Sequence, residues 1–283
     1  MSMSTLCHAV PGPLALVAAL LAVSPVRAAE PAKDALARSA AAFTAMERAE
    51  VEKLSTALDA LIADPAFVEP FRARDRARLL AVARPRFEKL EAEQLVTHWY
   101  FIEPEPSKTC FLRVHSPDTF GDVIARDTLA AAIATKQVGS GKELGKTAFA
   151  LRVVKPIRVA GEVVGYMELG EEIGHFLARL KAQTGDDFAI LADKGRIDRK
   201  ELAKLRGEDR WDERRDVVLI ESTVWNEATV DLGAALEKIP DGGTRIPAWI
   251  DGSGRYVGGA FPVRDAANRL VGALFVRRAA DKK

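Results

Sequence analysis

The sequence predicts an α+β fold in which a long N-terminal helical stalk precedes two antiparallel β-sheet domains. Residues 32–63 are rich in Ala, Leu, Glu and Lys and contain no Gly or Pro, which is typical of a long helix. Beyond residue 94, β-branched and aromatic runs alternate with turn residues, as they do in strands and hairpins. One hairpin-like segment occurs twice, about a hundred residues apart, which indicates two copies of one domain type.

The predicted stalk covers residues 29–94. In its first helix, four apolar residues recur at helical spacings and form one apolar stripe: Val51, Leu54, Leu58 and Leu61. Pro65 ends this helix, and a short helical piece follows through Phe67 and Phe71. A second helical stretch then covers 75–94, across Pro85. Helices of this length need an apolar surface to pack against, and the following segment supplies one.

The first sheet domain is predicted over residues 95–172. The runs LVTHWYFIEP and TCFLRVHSP flank a turn-forming segment and predict a hairpin. A short helix is expected over 128–136, and two further strands turn at Gly161. The Gly-rich segment at 139–142 is interpreted as a turn, because it lacks the spacing of a phosphate-binding loop.

A connecting helix over 173–184 leads to a second, smaller sheet domain over 185–283. Strands are expected near 187–192, 217–224, 245–250, 256–263 and 270–277. A helix is predicted over 231–238. The heavily charged run 193–216 reads as a solvated helix and loop, with a docking surface for a partner as the alternative.

The repeat is carried by the placement of proline and glycine. Pro156 precedes Gly165 by nine residues, and Pro262 precedes Gly272 by ten. Similar apolar strands surround both pairs. We therefore expect two equivalent hairpins that differ by one turn residue, with the two glycines at matching positions.

Composition narrows the functional classes. The 283 residues carry a formal net charge of +1, which gives no electrostatic reason to expect nucleic acid as a partner. The two cysteines and the scattered histidines at 98, 115 and 175 do not form a metal-ligand pattern. Cys110 and His115 point to opposite faces of one predicted strand, which argues against a thiol nucleophile and its base. We expect neither enzymatic activity nor a cofactor or metal.

The N-terminus reads as a targeting signal. Residues 14–23 form an unbroken apolar run, half the roughly 20 residues that a membrane-spanning helix needs. Val26-Arg27-Ala28 then fits the pattern that a signal peptidase reads. We expect residues 1–28 to be a cleaved signal peptide and the mature protein to be periplasmic, with retention as an anchor as the alternative.

Several segments resemble the double Cache family, the PAS-like extracytoplasmic sensory domains of bacterial chemoreceptors and sensor kinases. CFLR at 110–113 and FGD at 120–122 are similar to that family's Ser-Phe-Leu-Arg strand and Gly-Asp loop. LR at 151–152 and GYMELG at 165–170 look like its later conserved segments. The resemblance implies two PAS-like sheets behind a long helix and a sensory role. The family's amino-acid-binding pattern is not visible, so the resemblance implies no particular ligand.

One face of the first sheet is expected to line a ligand pocket. Side chains alternate along the strand over 109–115, so Arg113 and His115 share a face with Phe111. The opposite face is uniformly apolar and suits the helical stalk: Cys110, Leu112 and Val114. Arginines grip carboxylates through two donors, so a small carboxylate or other anion is the expected ligand. The predicted ligand-binding residues are Tyr100, Arg113, His115, Asp122, Arg152, Tyr166 and Glu168.

Two alternatives remain for these residues and for the protein. Arg113 with Asp122, and Arg152 with Glu168, can instead form structural ion pairs. The expected function is a soluble periplasmic sensor that binds a small anionic metabolite and signals to a membrane receptor or kinase, because the chain ends without an output domain. The rivals are a periplasmic scaffold whose core is packed shut by Trp99, Phe111 and Phe149, and a hydrolytic enzyme that uses Arg113 and Glu168.

Overall fold

The computed structural model describes residues 32–145, 149–206 and 211–280. The expected signal peptide, residues 1–28, lies outside the described residues. Within the described ranges, no helix combines the length and the apolar character that crossing a membrane requires.

Three helices form the N-terminal part, as the sequence predicts. Helix α1 spans Ala32–Ala63, α2 spans Pro65–Arg72 and α3 spans Arg76–Gln94. Asp64 caps α2 by accepting the Ala66 N–H at 2.9 Å, and Asp75 caps α3 in the same manner. Both caps satisfy backbone donors that a helix start leaves unpaired.

The first sheet is antiparallel and has the strand order β2-β1-β5-β4-β3. Helix α4 (Asp127–Thr135) lies between the second and third strands in the chain. The turn expected at 139–142 is wrong, since these residues belong to strand β3. Gly139 is required there because a Cβ would lie 2.0 Å from the Thr128 carbonyl oxygen of α4. The strands are β1 (His98–Ile102), β2 (Cys110–Arg113), β3 (Gly139–Leu144), β4 (Phe149–Val159) and β5 (Glu162–Glu172).

Helix α5 (Ile173–Thr184) follows β5 directly and leads to a second antiparallel sheet with the order β7-β6-β10-β9-β8. Helix α6 (Arg199–Arg206) lies in the charged run. The helix expected over 231–238 is wrong: only a short 3-10 turn forms, at Leu236–Lys238. Gly233 adopts a positive φ of 68°, which a continuous helix does not allow. The strands are β6 (Asp187–Asp193), β7 (Val217–Ser222), β8 (Thr244–Asp251), β9 (Gly254–Arg264) and β10 (Leu270–Ala279).

The two sheets correspond position by position. In each sheet the residue after the repeated proline, Pro156 or Pro262, pairs with the repeated glycine. Ile157 therefore faces Gly165, and Val263 faces Gly272. In both hairpins the register shifts directly beyond this pair, which marks a β-bulge at the same place. The predicted equivalence of the two glycines is confirmed.

A second bulge also occurs in both sheets and changes one predicted face. Phe111 in β2 and Ile220 in β7 are the extra residues between successive pairs. Because of this bulge, Cys110 does not lie with Leu112 on the helix side, as the alternation predicts. Cys110 packs with Ile102 on the opposite face, whereas Phe111 contacts the Phe71 ring of α2 at 5.4 Å.

The main hydrophobic core lies between the helices and one face of the two sheets. Leu54 and Leu58 of α1 are fully buried there. Trp99, Phe111 and Phe149 pack on this helix side. The scaffold alternative expected these three residues to fill the pocket. They lie instead on the helix-facing side of the sheet, away from the face expected to line a pocket. The face of the first sheet that points away from the helices carries the charged residues described next.

Candidate functional site

A group of charged residues, the charged cluster, lies on the face of the first sheet opposite the main core. Strand pairing brings its members together: Tyr100 of β1 lies opposite Arg113 of β2 and opposite Glu168 of β5. Arg152 of β4 projects from the same face, and Arg126 reaches it from the start of α4. The charged cluster is defined as Tyr100, Arg113, Arg126, Arg152 and Glu168.

Glu168 is the buried centre of the cluster. Its Oε1 accepts hydrogen bonds from Nη1 of Arg126 and Nη1 of Arg152, both at 2.5 Å. Burial by itself raises the pKa of this carboxyl, but the two guanidinium groups outweigh burial and hold the pKa below its ordinary value. Glu168 is therefore an ionised carboxylate. Its Oε2 and the Nε of Arg152 have no hydrogen-bond partner among the described residues.

Three guanidinium groups surround the ring of Tyr100. Their central carbons lie 4.5 Å (Arg126), 5.2 Å (Arg113) and 5.7 Å (Arg152) from the ring centroid. Arg126 also donates a hydrogen bond from Nη2 to the Tyr100 hydroxyl at 3.1 Å. The negative face of an aromatic ring attracts cations, so Tyr100 helps to hold three like charges close together.

Arg113 lies at the solvent-exposed edge of the cluster. Its Nη1 and Nη2 bind the two carboxylate oxygens of Asp122 at 2.7 and 2.6 Å, and Nη1 also binds the Thr119 carbonyl. The hydrogen bond from Arg113 lowers the pKa of Asp122, whose side chain is 52% exposed. Both ion pairs that the sequence offered as an alternative are therefore present.

Two neutral histidines complete the surface beside Tyr100. Burial lowers the pKa of His98 to about 2, and the cationic Arg152 adds to this effect. Burial likewise lowers the pKa of His115 to about 4. The Trp99 backbone N–H donates to His115 Nδ1 at 3.1 Å, which leaves the proton of the neutral ring on Nε2. His115 thus offers a neutral donor beside the three cations.

Comparison with known proteins places this architecture in a family. The family model described as the double sensory domain of two-component sensor kinases, dCache_3, matches residues 30–217. The chain belongs to the double Cache family. Domains of this family are extracytoplasmic sensory domains, which confirms the resemblance found in the sequence. No curated protein matches the chain.

Solved structures are similar to this double Cache protein at low sequence identity. The periplasmic domain of Vibrio cholerae LuxQ is 12% identical, with a TM-score of 0.50 over 87% of this chain and 100% of that chain. The sensor domain of the V. cholerae histidine kinase DctB is 12% identical, with a TM-score of 0.47 over 89% and 96%. The Campylobacter jejuni chemoreceptor Tlp3 ligand-binding domain, in complex with 4-methylisoleucine, is 12% identical, with a TM-score of 0.46 over 88% and 92%.

The double Cache site contains charged groups of both signs. Three guanidinium groups face two ionised carboxylates, those of Glu168 and Asp122. A third carboxyl, Glu143, lies nearby and accepts the Thr128 N–H at 2.7 Å, and burial raises its pKa. Arg113, Arg126 and Arg152 thus outnumber the carboxylates of Glu168 and Asp122 by one positive charge, and the protonation of Glu143 sets the balance of the whole group.

The structure brings together most, but not all, of the predicted site residues. Tyr100, Arg113, His115, Arg152 and Glu168 lie in or beside the cluster, and Asp122 lies at its edge. The side chain of Tyr166 packs instead in an apolar group with Ile102, Cys110 and Val154. The sequence analysis missed Arg126, a member of the cluster, and His98, which lies beside it. The available signal for Arg126 was its position directly before a helix, where it makes no side-chain cap.

Metal binding and thiol chemistry each have specific structural requirements. No group of three or more His, Cys, Asp or Glu among them could hold a metal ion. Burial raises the pKa of the Cys110 thiol to about 11, so the thiolate that a nucleophile needs is scarce at neutral pH.

Proposed function

We propose that this double Cache protein binds a small anionic metabolite reversibly at the charged cluster and signals its presence to a membrane-bound receptor or kinase. The observation that carries the proposal is the arrangement of Arg113, Arg126 and Arg152 around Tyr100. Three guanidinium groups in one place can donate paired hydrogen bonds to a carboxylate or another small oxyanion.

The second sheet supplies an internal control. Strand pairing matches the cluster positions of the first sheet to uncharged residues of the second, so the fold itself does not require charges there. Tyr100, Arg113, Arg152 and Glu168 correspond to Ala189, Ser222, Gly258 and Phe275. The same face of the second sheet buries a different ion pair, Arg277 with Asp187 and Asp251. The charges at the four cluster positions are therefore specific to the first sheet, and this difference supports a role in recognition.

Asp122 occupies the outer face of Arg113 and thus competes with an incoming anion. A ligand that replaces the Asp122 carboxylate would release the loop that contains Asp122. A ligand bound near Arg152 would change the hydrogen bond between Arg152 and Glu168 of β5. Because β5 runs directly into α5, a change at Glu168 reaches the helix that leads to the second sheet. The response then follows from stabilising one of two packings of the sheet and its helices.

The remaining parts of the proposal concern location and boundaries. The protein reaches the periplasm through cleavage of a signal peptide after Ala28 and acts there as a soluble sensor. Its sheet domains cover 95–172 and 185–283, behind a stalk over 29–94 and joined by the helix over 173–184. Intact-mass measurement of protein recovered from the periplasm tests this part. An uncleaved, membrane-bound product would contradict it.

Ligand binding is tested by thermal-shift and calorimetric titration with a panel of small carboxylates. Arg113→Ala is expected to weaken binding by roughly thirtyfold to a thousandfold if the bound anion is shielded from solvent, because a charge-assisted pair with the ligand is lost. Asp122→Ala removes the same ion pair but frees Arg113, so it is expected to strengthen binding. Arg264→Gln, on the second sheet, is the matched control and should leave binding unchanged.

The two variants also separate recognition from structure. If Arg113 serves only as the partner of Asp122, both substitutions should lower the unfolding free energy by similar amounts and alter no ligand response. Failure of every carboxylate and oxyanion to shift the unfolding temperature of the wild-type protein would remove the proposal.

A further inference from the structure

The second sheet carries a cavity of about 810 Å³ that nothing in the proposed function uses. Leu191 of β6 and Val217 of β7 line it together with the segment 228–236. By strand pairing, Leu191 corresponds to Ile102 of the first sheet. The cavity therefore opens on the face that carries the charged cluster in the first sheet, and its volume falls in the range of small-molecule sites.

The floor of this cavity is apolar. Five of the residues that line it are aliphatic and almost fully buried: Leu191, Val217, Val230, Leu232 and Leu236. Apolar contact of this kind favours a ligand with an apolar body.

Hydrogen bonds fix the segment that forms one wall. Arg214 donates from Nε to the Val230 carbonyl at 2.9 Å and from Nη2 to the Glu227 carbonyl at 2.7 Å. Asp231 accepts the Gly233 N–H at 3.1 Å, which holds a tight turn in the same segment. Side-chain hydrogen bonds therefore hold this wall against the segment that precedes β7.

Among the described residues that line the cavity, acidic side chains outnumber basic ones by three to two. The rim carries Glu213, Asp216 and Asp231 against Arg214 and Arg215. Arg214 is engaged by Glu213 at 3.0 Å and by the two carbonyls, and Arg215 lies 3.5 Å from Asp216. Among the described residues no basic side chain pairs with Asp231, so its carboxylate is available at the rim.

We propose that the second sheet domain binds a different ligand from the first, namely a small amine with an apolar aromatic or aliphatic body. The apolar floor takes the body, and Asp231 attracts the ammonium group. The two equivalent sheet faces thereby recognise opposite charges, an anion in the first domain and a cation in the second.

Three probes that share an indole body test this site: tryptamine, tryptophol and indole-3-acetate. Binding is followed through the methyl resonances of the cavity residues by NMR titration. Tryptamine is expected to bind about threefold to tenfold more tightly than tryptophol, because an ionic contact at a solvent-exposed rim adds a modest attraction. Indole-3-acetate should bind most weakly at this site.

Two variants and one control sharpen the test. Asp231→Asn keeps the oxygen that accepts the Gly233 N–H, and it should abolish the preference for tryptamine while leaving tryptophol binding unchanged. Ala228→Phe fills the cavity and should weaken tryptamine and tryptophol at least tenfold. Ala60→Phe, at an exposed position of α1, should have no effect on any probe.

Several results would overturn the proposal: no saturable shift of the cavity methyls, equal binding of indole-3-acetate and tryptamine, or unchanged binding in Ala228→Phe. Shifts confined to the charged cluster would assign the probes to the first domain instead. Because carboxylate binding at the first domain is measured separately, failure here leaves the proposed function untouched.

Discussion

Replacement of Glu168 by Gln removes the carboxylate that Arg126 and Arg152 share. Glu168 is completely buried, and the side chains of Arg126 and Arg152 are only 20% and 6% exposed. Removing one partner from a buried ion pair costs roughly 3–5 kcal/mol, because the remaining charge stays buried without compensation. The glutamine oxygen still accepts a hydrogen bond, so we expect a loss of about 3 kcal/mol in the free energy of unfolding.

Urea denaturation of wild-type and Glu168→Gln protein measures this loss. Glu162→Gln is the matched control on the same strand, because Glu162 is exposed, and its effect should stay within about 0.5 kcal/mol. Formate supplies a carboxylate of similar charge and should restore part of the stability of Glu168→Gln but not alter the control. A loss below about 1 kcal/mol, or no response to formate, would refute the conclusion that two buried guanidinium groups depend on this carboxylate.

Three further predictions concern pH and backbone geometry. His98 and His115 have pKa values lowered in the folded state, so the stability they contribute is present above pH 6.5 and is lost on acidification, by about 2 kcal/mol each at pH 5. The unfolding free energy of His98→Gln should depend less on pH between pH 5 and 8 than that of the wild type. An equal pH dependence would contradict this. Burial raises the pKa of Glu171, so the stability that this residue contributes falls as pH rises above the ordinary carboxyl range. The unfolding free energy of Glu171→Gln should not show this fall. At Gly165 and Gly272, a Cβ would lie 2.8 and 2.2 Å from a facing carbonyl oxygen, so alanine at either position should cost about 1–3 kcal/mol. Unaltered unfolding temperatures would contradict the equivalence of the two bulges.

Local patterns in the sequence were sufficient for the elements that depend on neighbouring residues. The spacing of Leu54, Leu58 and Leu61 predicted the buried stripe of α1, and all three residues are buried in the core. In β1, Trp99 and Tyr100 lie on opposite faces, as the alternation of side chains along a strand dictates. Periodicity succeeds here because a helix or a strand fixes the direction of each side chain from its own backbone.

Only the tertiary structure decided how these elements meet. The bulge at Phe111 moved Cys110 to the other face, because a bulge arises from pairing with a partner strand and leaves no signal in the strand itself. Arg126 joined the cluster by the docking of α4, although it lies 42 residues from Glu168 in the chain. The sequence by itself therefore determined the repeat of the two sheets and most of the helices and strands, but not strand β3 or the irregular segment over 231–238. The composition of the charged cluster depended on long-range packing, since contacts between distant segments form only when the whole chain folds.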